Sequence, residues 1–295
     1  MSRIFSIIVI FNALYLVNSQ DTSDSNLDVL KKDIGGPSER LKNLIAIGFS
    51  EHPAYEKLTS DRFLRKFLIA RNDDPREALK LINGYLQLRK SHPEFFMNMT
   101  QLVQKFGTPP IAWSYETSKS GQNVLFTRVG VEFDLKNHKL GELCASLIPI
   151  QELMAENNVM SEKNDGSQKD CDKKGIYHII ADYERLGSVL NSLLSPSEIM
   201  LCSDIVYNMP VTPDKIHVIN QDMAFNLFYS FAKLFIDDNV INKVILHGSD
   251  PQLLYNYVEP RFLPKEAFGD GQLREYTQDE LNKLDMQLND IWSGL

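Results

Sequence analysis

A chain of 295 residues, 43% hydrophobic and 24% charged, has the length and composition of an ordinary globular protein of one large domain or two small ones. Its 31 basic and 39 acidic residues leave a formal charge of −8. That balance argues against nucleic acid as a partner and against bulk electrostatic adhesion to anionic lipid, though it leaves room for a local basic patch.

The chain opens "MSRIFSIIVIFNALYLVNSQ". Arg3 is followed by an apolar run from Ile4 to Val17, and Val17 and Ser19 are small enough for a cleavage site before Gln20. This is the layout of a secretory signal peptide over residues 1–19. The run of 14 residues falls short of the roughly 18–20 needed to span a bilayer. The expected location is therefore outside the cell or in the secretory-pathway lumen, with the cytoplasm as the alternative. Asn98–Thr100 reads "NMT", an N-glycosylation acceptor in such a compartment. Cys144, Cys171 and Cys202 allow one intrachain disulfide at most, and the simpler reading is three buried or idle thiols.

Residues 28–105 read as an all-helical unit. Phe63, Leu64, Phe67 and Leu68 lie at helical spacing. "DDPRE" then starts a new helix with Asp74 as N-cap, Pro75 at the first position and Glu77 three residues after the cap. Ala78, Leu79, Ile82, Tyr85 and Leu86 form its buried stripe, and Pro93 stops it. From residue 106 to 275 strands and helices alternate. "NVLFTRVG" (123–130), "IYHIIADYERLG" (176–187), "KIHVIN" (215–220) and "KVILHG" (243–248) are strands. "LGELCASLIPIQELMAENNV", "SPSEIMLCSDIVYNMP" and the segment from Phe225 are helices, and 161–175 is a polar loop. The alternation predicts an α/β fold with a mostly parallel sheet flanked by helices. Residues 276–295 form a last helix, with Leu281, Leu284, Leu288 and Ile291 on the side that docks.

Enzyme signatures are missing. There is no G-x-S-x-G, no G-x-x-x-x-G-K-[ST] and no G-x-G-x-x-G. "DCDKKG" (170–175) fails as a calcium loop, because Lys174 occupies a ligand position and Ala181 stands where the closing Glu belongs. The six histidines are scattered without metal spacing, so neither metal nor cofactor is expected. His178 and His217, inside apolar strands, read as satisfied core histidines.

"FNLFYSFAKLFIDDNVINKVILHG" (225–248) poses a puzzle. Phe225, Phe228, Ala232 and Phe235 make one apolar stripe; Leu227, Phe231 and Leu234 make a second. Asn226, Ser230 and Lys233 form a narrow polar seam. A surface helix usually keeps a third to a half of its girth apolar, so on its own this pattern suggests a fully buried helix.

Taken in order, "RFLRKFLIARNDDPREALKLINGYLQLRK", "IYHIIADYERLG", "KIHVIN", the two-faced helix, "KVILHG" and "LPKEAFGD" resemble the CRAL-TRIO lipid-binding family over residues 28–275. The resemblance implies a helical unit (28–105), a lipid-binding domain (106–275) and no enzymatic activity. It makes the two-faced helix a gate over a lipid cavity, one face lining the cavity and the other touching a membrane during exchange. On this reading Phe225, Phe228, Phe231 and Phe235 are gate residues, and Ile179, Ala181, Val218 and His217 line the cavity. Lys243 matches a headgroup-binding lysine of the phosphatidylinositol-transfer branch. The paired Glu of that branch is Val211 here, and its phosphatidylcholine-binding hydroxyls fall on Tyr177 and Ile179. Of the basic cleft of the tocopherol-transfer branch, which falls on Thr212, Asn239 and Lys243, only Lys243 is basic. The implied partner is a small hydrophobic ligand (a lipid, an isoprenoid or a tocopherol-like molecule), carried by a monomer with transient membrane contact. A protein-interaction module on the same fold is the competing expectation.

Overall fold

The structure, a computed structural model, describes residues 35–106, 113–117, 123–128, 137–164, 177–184, 195–211, 213–236, 238–272 and 276–295. The expected signal segment, Cys171 and most of the polar loop lie outside these residues.

Side chains that accept backbone N–H groups set the helix starts in the first half. After α1 (Pro37–Phe49) and the single turn α2 (Tyr55–Leu58), Ser60 caps α3 (Asp61–Ala70) by accepting from the Phe63 N–H. Asp74 caps α4 (Pro75–Ser91), taking the Arg76 and Glu77 N–H groups at 2.8 and 3.2 Å. Pro75, with no N–H to lose, sits in the first turn as the sequence predicts. α5 (Met99–Phe106) completes the set. The apolar stripes meet: the Phe67 ring lies 4.7 Å from Phe63 and 5.5 Å from Tyr85, all three buried. Burying one such ring contributes about 1.5–3 kcal/mol.

The sheet has five strands in sequential order: β1 (Trp113–Thr117), β2 (Asn123–Arg128), β3 (Tyr177–Asp182), β4 (Lys215–Ile219) and β5 (Val244–Gly248). β2 to β5 run parallel, as expected, and each connection carries a helix. These are α6 (Leu140–Ala145) and α7 (Ile148–Asn164), then α8 (Pro196–Asn208), then α9 (Met223–Ala232) and α10 (Asp238–Ile241). β1 was not expected from the sequence. Five residues of "WSYET" give too short an alternation to stand out, and its place is fixed by antiparallel pairing with β2.

Alternation along the strands splits the core in two. Leu125, Ile179 and Val218 join the main cluster, with the helices of the first half, α7 and Phe225 of α9. Val124, Phe126, Ile180 and Ile219 face the other way, under α11 (Pro251–Tyr255) and the turns that follow it. There Leu254, Val258, Leu263 and Ala267 cover them.

The expectation of idle thiols is corrected. Cys144 of α6 and Cys202 of α8 form a disulfide, 58 residues apart in sequence with 5.4 Å between Cα atoms. No sequence spacing announces it, because the contact exists only once α6 and α8 pack. Gly141 permits that packing: a Cβ there would lie 2.7 Å from Leu201. Its N–H donates to Glu198 at 2.8 Å.

The last helix, α12 (Gln278–Trp292), starts on a Thr277–Glu280 capping box and buries Leu281, Leu288, Ile291 and Trp292. It docks through polar contacts as well. Asp285 accepts the Met99 N–H at 2.7 Å and so caps α5 from another element. Arg62 bridges Glu156 and Asp290, each at 2.5 Å. Among the described residues no helix is long and apolar enough to cross a membrane.

Candidate functional site

Asp222 starts α9 by accepting the Phe225 N–H at 2.8 Å. From that start the helix turns its two stripes in different directions. Phe225 and Ala232 are buried, and Phe228 packs half-buried against the main cluster. The Phe225 ring stacks on Tyr229 and lies 4.4 Å from the ring of Tyr183, just past the end of β3. Phe231 and Phe235 are half-buried, with their rings 5.1 Å apart. Of the second stripe Phe231 is thus half-buried, while Leu227 is 68% exposed and Leu234, just past the end of α9, 74%; Met223 extends the exposed line at 79%. α9 is therefore not buried all round, which was the plainest reading of its sequence.

Ile179, Ala181 and Val218 are buried on one face of neighbouring parallel strands, Ala181 opposite Val218. Ile179 and Val218 share the main cluster with Phe225. His217 is not brought together with them. It precedes Val218 in a strand, and successive residues of a strand point to opposite faces. It lies instead between His178 and His247, with nitrogen–nitrogen distances of 3.0 and 2.8 Å. Both histidines of the strands that were read as satisfied core groups, His178 and His217, are indeed hydrogen-bonded. The third member, His247, was not singled out, because a relation across three strands leaves no trace in linear spacing.

Lys243, just before β5, lines a cavity of about 320 Å³ with Arg71, Asn72, Tyr207, Ile216 and Val240. That is at the small end of ligand pockets. Burial lowers the Lys243 ammonium from its ordinary range; nearby Arg71 lowers it further, and Asp214 opposes both. Arg71 is itself lowered by burial. Its guanidinium donates to the Ala70 and Tyr207 carbonyls and lies over the Tyr207 ring. Arg71 was missed as a site residue. It sits at the α3–α4 turn, where Asn72 and Asp73 are both left-handed (φ 50° and 60°), a conformation that short polar side chains tolerate best after glycine. Glu77 lines the same cavity and its charge acts on Arg71, so the two partly dehydrated cations face a carboxylate of the chain itself. Among the described residues no cluster of His, Cys, Asp and Glu could hold a metal ion.

Asn98, the glycosylation candidate, accepts the Gln101 N–H through its side-chain oxygen at 2.9 Å.

The CRAL/TRIO domain family matches residues 111–269, from β1 through the segment after β5. α-Tocopherol transfer protein-like from mouse (Mus musculus) and from human (Homo sapiens) is 26% identical over 239 residues, 79% of this chain and 66% of the relative. Rat (Rattus norvegicus) clavesin-1 is 22% identical over 255 residues, 83% of this chain and 65% of the relative. The chain thus spans just under two thirds of these relatives' length. A crystal structure of Sfh5 aligns with 92% of this chain and 98% of its own at 15% identity, with a TM-score of 0.46. With more than half of its length matched, the chain belongs to the CRAL/TRIO domain family.

Proposed function

We propose that this protein binds a small hydrophobic lipid in an internal cavity under α9 and transfers it between membranes. The observation that carries this reading is the two-faced helix. Phe225 and Ala232 are buried, while Met223, Leu227 and Leu234 stand in water. A helix that served only as core would bury the second stripe; one that served only as surface would make it polar. A helix that closes a cavity from one side and meets a bilayer with the other needs both. Phe225, Phe228, Phe231 and Phe235 are the gate, and Ile179, Ala181 and Val218 form part of the wall.

The mechanism is exchange. A single-chain lipid that buries several hundred Å² gains on the order of 10 kcal/mol over water at about 25 cal/mol/Å². A bilayer offers the same chain similar shelter, so loading and unloading are nearly balanced there and the cargo is held elsewhere. Lys243, Arg71 and Glu77 give the cavity beside β5 a polar, charge-compensated wall for the polar end of such a cargo. Similarity to α-tocopherol transfer protein-like supports a tocopherol-like cargo. The Cys144–Cys202 bond supports the secretory-pathway lumen or the outside of the cell as the place of action. The protein acts as a monomer, without catalysis.

The test is to express the chain in a secretory host, extract the purified protein with organic solvent and identify the extract by mass spectrometry. A stoichiometric apolar species is expected. Folded protein that carries no lipid and takes none from vesicles overturns the reading in favour of a protein-interaction module.

A further inference from the structure

We propose that His178, His217 and His247 form an acid-sensitive latch, holding the segment Pro251–Gly271 on the back of the sheet at neutral pH and releasing it as pH falls.

The three imidazoles lie side by side across β3, β4 and β5, and none is more than 5% exposed. Nδ1 of His178 is 3.0 Å from Nε2 of His217, and Nδ1 of His217 is 2.8 Å from Nε2 of His247. Ring centroids are 5.2 and 5.1 Å apart. Tyr257, from the covering segment, places its ring 4.9 Å from that of His217.

Proton counting shows why acid matters. Each nitrogen–nitrogen gap holds one hydrogen. Three neutral rings bring three N–H groups, so two fill the gaps and one sits at an outer end. A fourth proton must put N–H groups on both ends. One end is Nδ1 of His247, which is buried and has no hydrogen-bond partner. Charging the closed chain thus strands a donor as well as burying a cation, and both costs vanish if the cover lifts.

The neighbouring charges are few. Asp214 attracts a proton toward His178 and Asp250 toward His247, while Lys215 repels it from His178 and His217. Asp182, on the same face of β3, is occupied by Arg128 and Asn220. Burial and these repulsions hold His217 down to about 3, and burial lowers His178 and His247 from 6.5. A histidine lowered in the folded state stabilises that state above the ordinary imidazole range. The contribution is lost as pH falls below it, because the open form takes up the proton first.

The cover is built to move as a unit. Its backbone bonds close within itself: Asp270 N–H to the Pro260 carbonyl, Gly271 N–H to Leu263, and Lys265 N–H to Gly271. The Tyr255 hydroxyl donates to the Phe268 carbonyl at 2.5 Å. The small apolar cluster and the Tyr257 ring, against His217 and His247, join it to the sheet.

Hydrogen exchange on the full chain at pH 7 and pH 5, corrected for the pH dependence of intrinsic exchange, tests this. For each imidazole that charges only in the open form, opening of 251–271 rises about 25-fold. The helices of residues 37–106 should change far less. In His217→Phe, which fills the site but cannot take a proton, the pH response should shrink by at least that factor. A segment that responds no more than the helices overturns the latch, as does a folded variant with the wild-type response. Should His217→Phe not fold at pH 7, histidine NMR of the wild type decides. Titration in step with segment opening supports the latch, and titration at the ordinary value with the segment closed overturns it.

Discussion

Gln151 and Glu152 are neighbours on α7, both wholly buried, and they should behave in opposite ways when changed. Glu152 is satisfied by three donors: Lys66 Nζ at 3.1 Å, the Tyr85 hydroxyl at 2.5 Å and Trp292 Nε1 at 3.3 Å. Glu152→Ala leaves the Lys66 ammonium buried without its counter-charge and should cost about 3–5 kcal/mol. Neither amide atom of Gln151 has a hydrogen-bond partner. Leucine has nearly the same shape and no polar atom to desolvate, so Gln151→Leu should stabilise the lipid-free protein by about 1–3 kcal/mol. Urea unfolding midpoints check both, and a destabilised Gln151→Leu would refute the second. Nothing in the sequence separates these two residues, since both are polar and lie in a helix with no apolar stripe to tell a buried side from an exposed one. What separates them is Lys66, Tyr85 and Trp292, which come from three other helices.

Among the elements, α9 was legible as a helix with two apolar stripes, but not which stripe is buried. That choice depends on Asp222, which fixes the start, and on Tyr183, which receives Phe225. The strands were legible for a simpler reason. Parallel strands covered on both sides read as continuous apolar runs, as "YHIIA" and "IHVI" do. Their facing was less legible, and it moves His217 away from Val218. The exposed leucines of α9 and of the turn that follows it contrast with Phe225. Phe225→Ala should cost about 3–5 kcal/mol in stability. The double change Leu227→Ser and Leu234→Ser should leave stability within about 0.5 kcal/mol, because both side chains are in solvent. If this stripe meets membranes, the double variant should sediment far less with lipid vesicles and exchange lipid more slowly. Unaltered sedimentation and transfer would remove the stripe from the mechanism.

At the scale of the whole molecule, the described body from Pro37 to Leu295 is one compact unit, although the sequence changes texture near residue 106. The chain is closed by contacts far apart in sequence, and these were the least legible. Gly84 is open to Asn208, whose side chain would lie 1.8 Å from a Cβ there, so α8 sits directly against α4. On its other side α8 is tied to α6 by Cys144–Cys202. Tyr207, near the end of α8, lines the Lys243 cavity, so the same helix connects the disulfide with that pocket. A loop of 58 residues closed by one bond gives an entropic stabilisation of about 4 kcal/mol, with about 2–4 kcal/mol typical of measured cases. Cys144→Ser and Cys202→Ser should therefore each lower stability by about 2–4 kcal/mol. The double variant should lose little more than either single one, because the first change already opens the loop. Denaturation with and without reductant checks this: reductant should bring the wild type down to the variants and leave the variants where they are. Singles that add in the double variant would mean that the thiols contribute separately by packing and that the bond is not what holds α6 to α8.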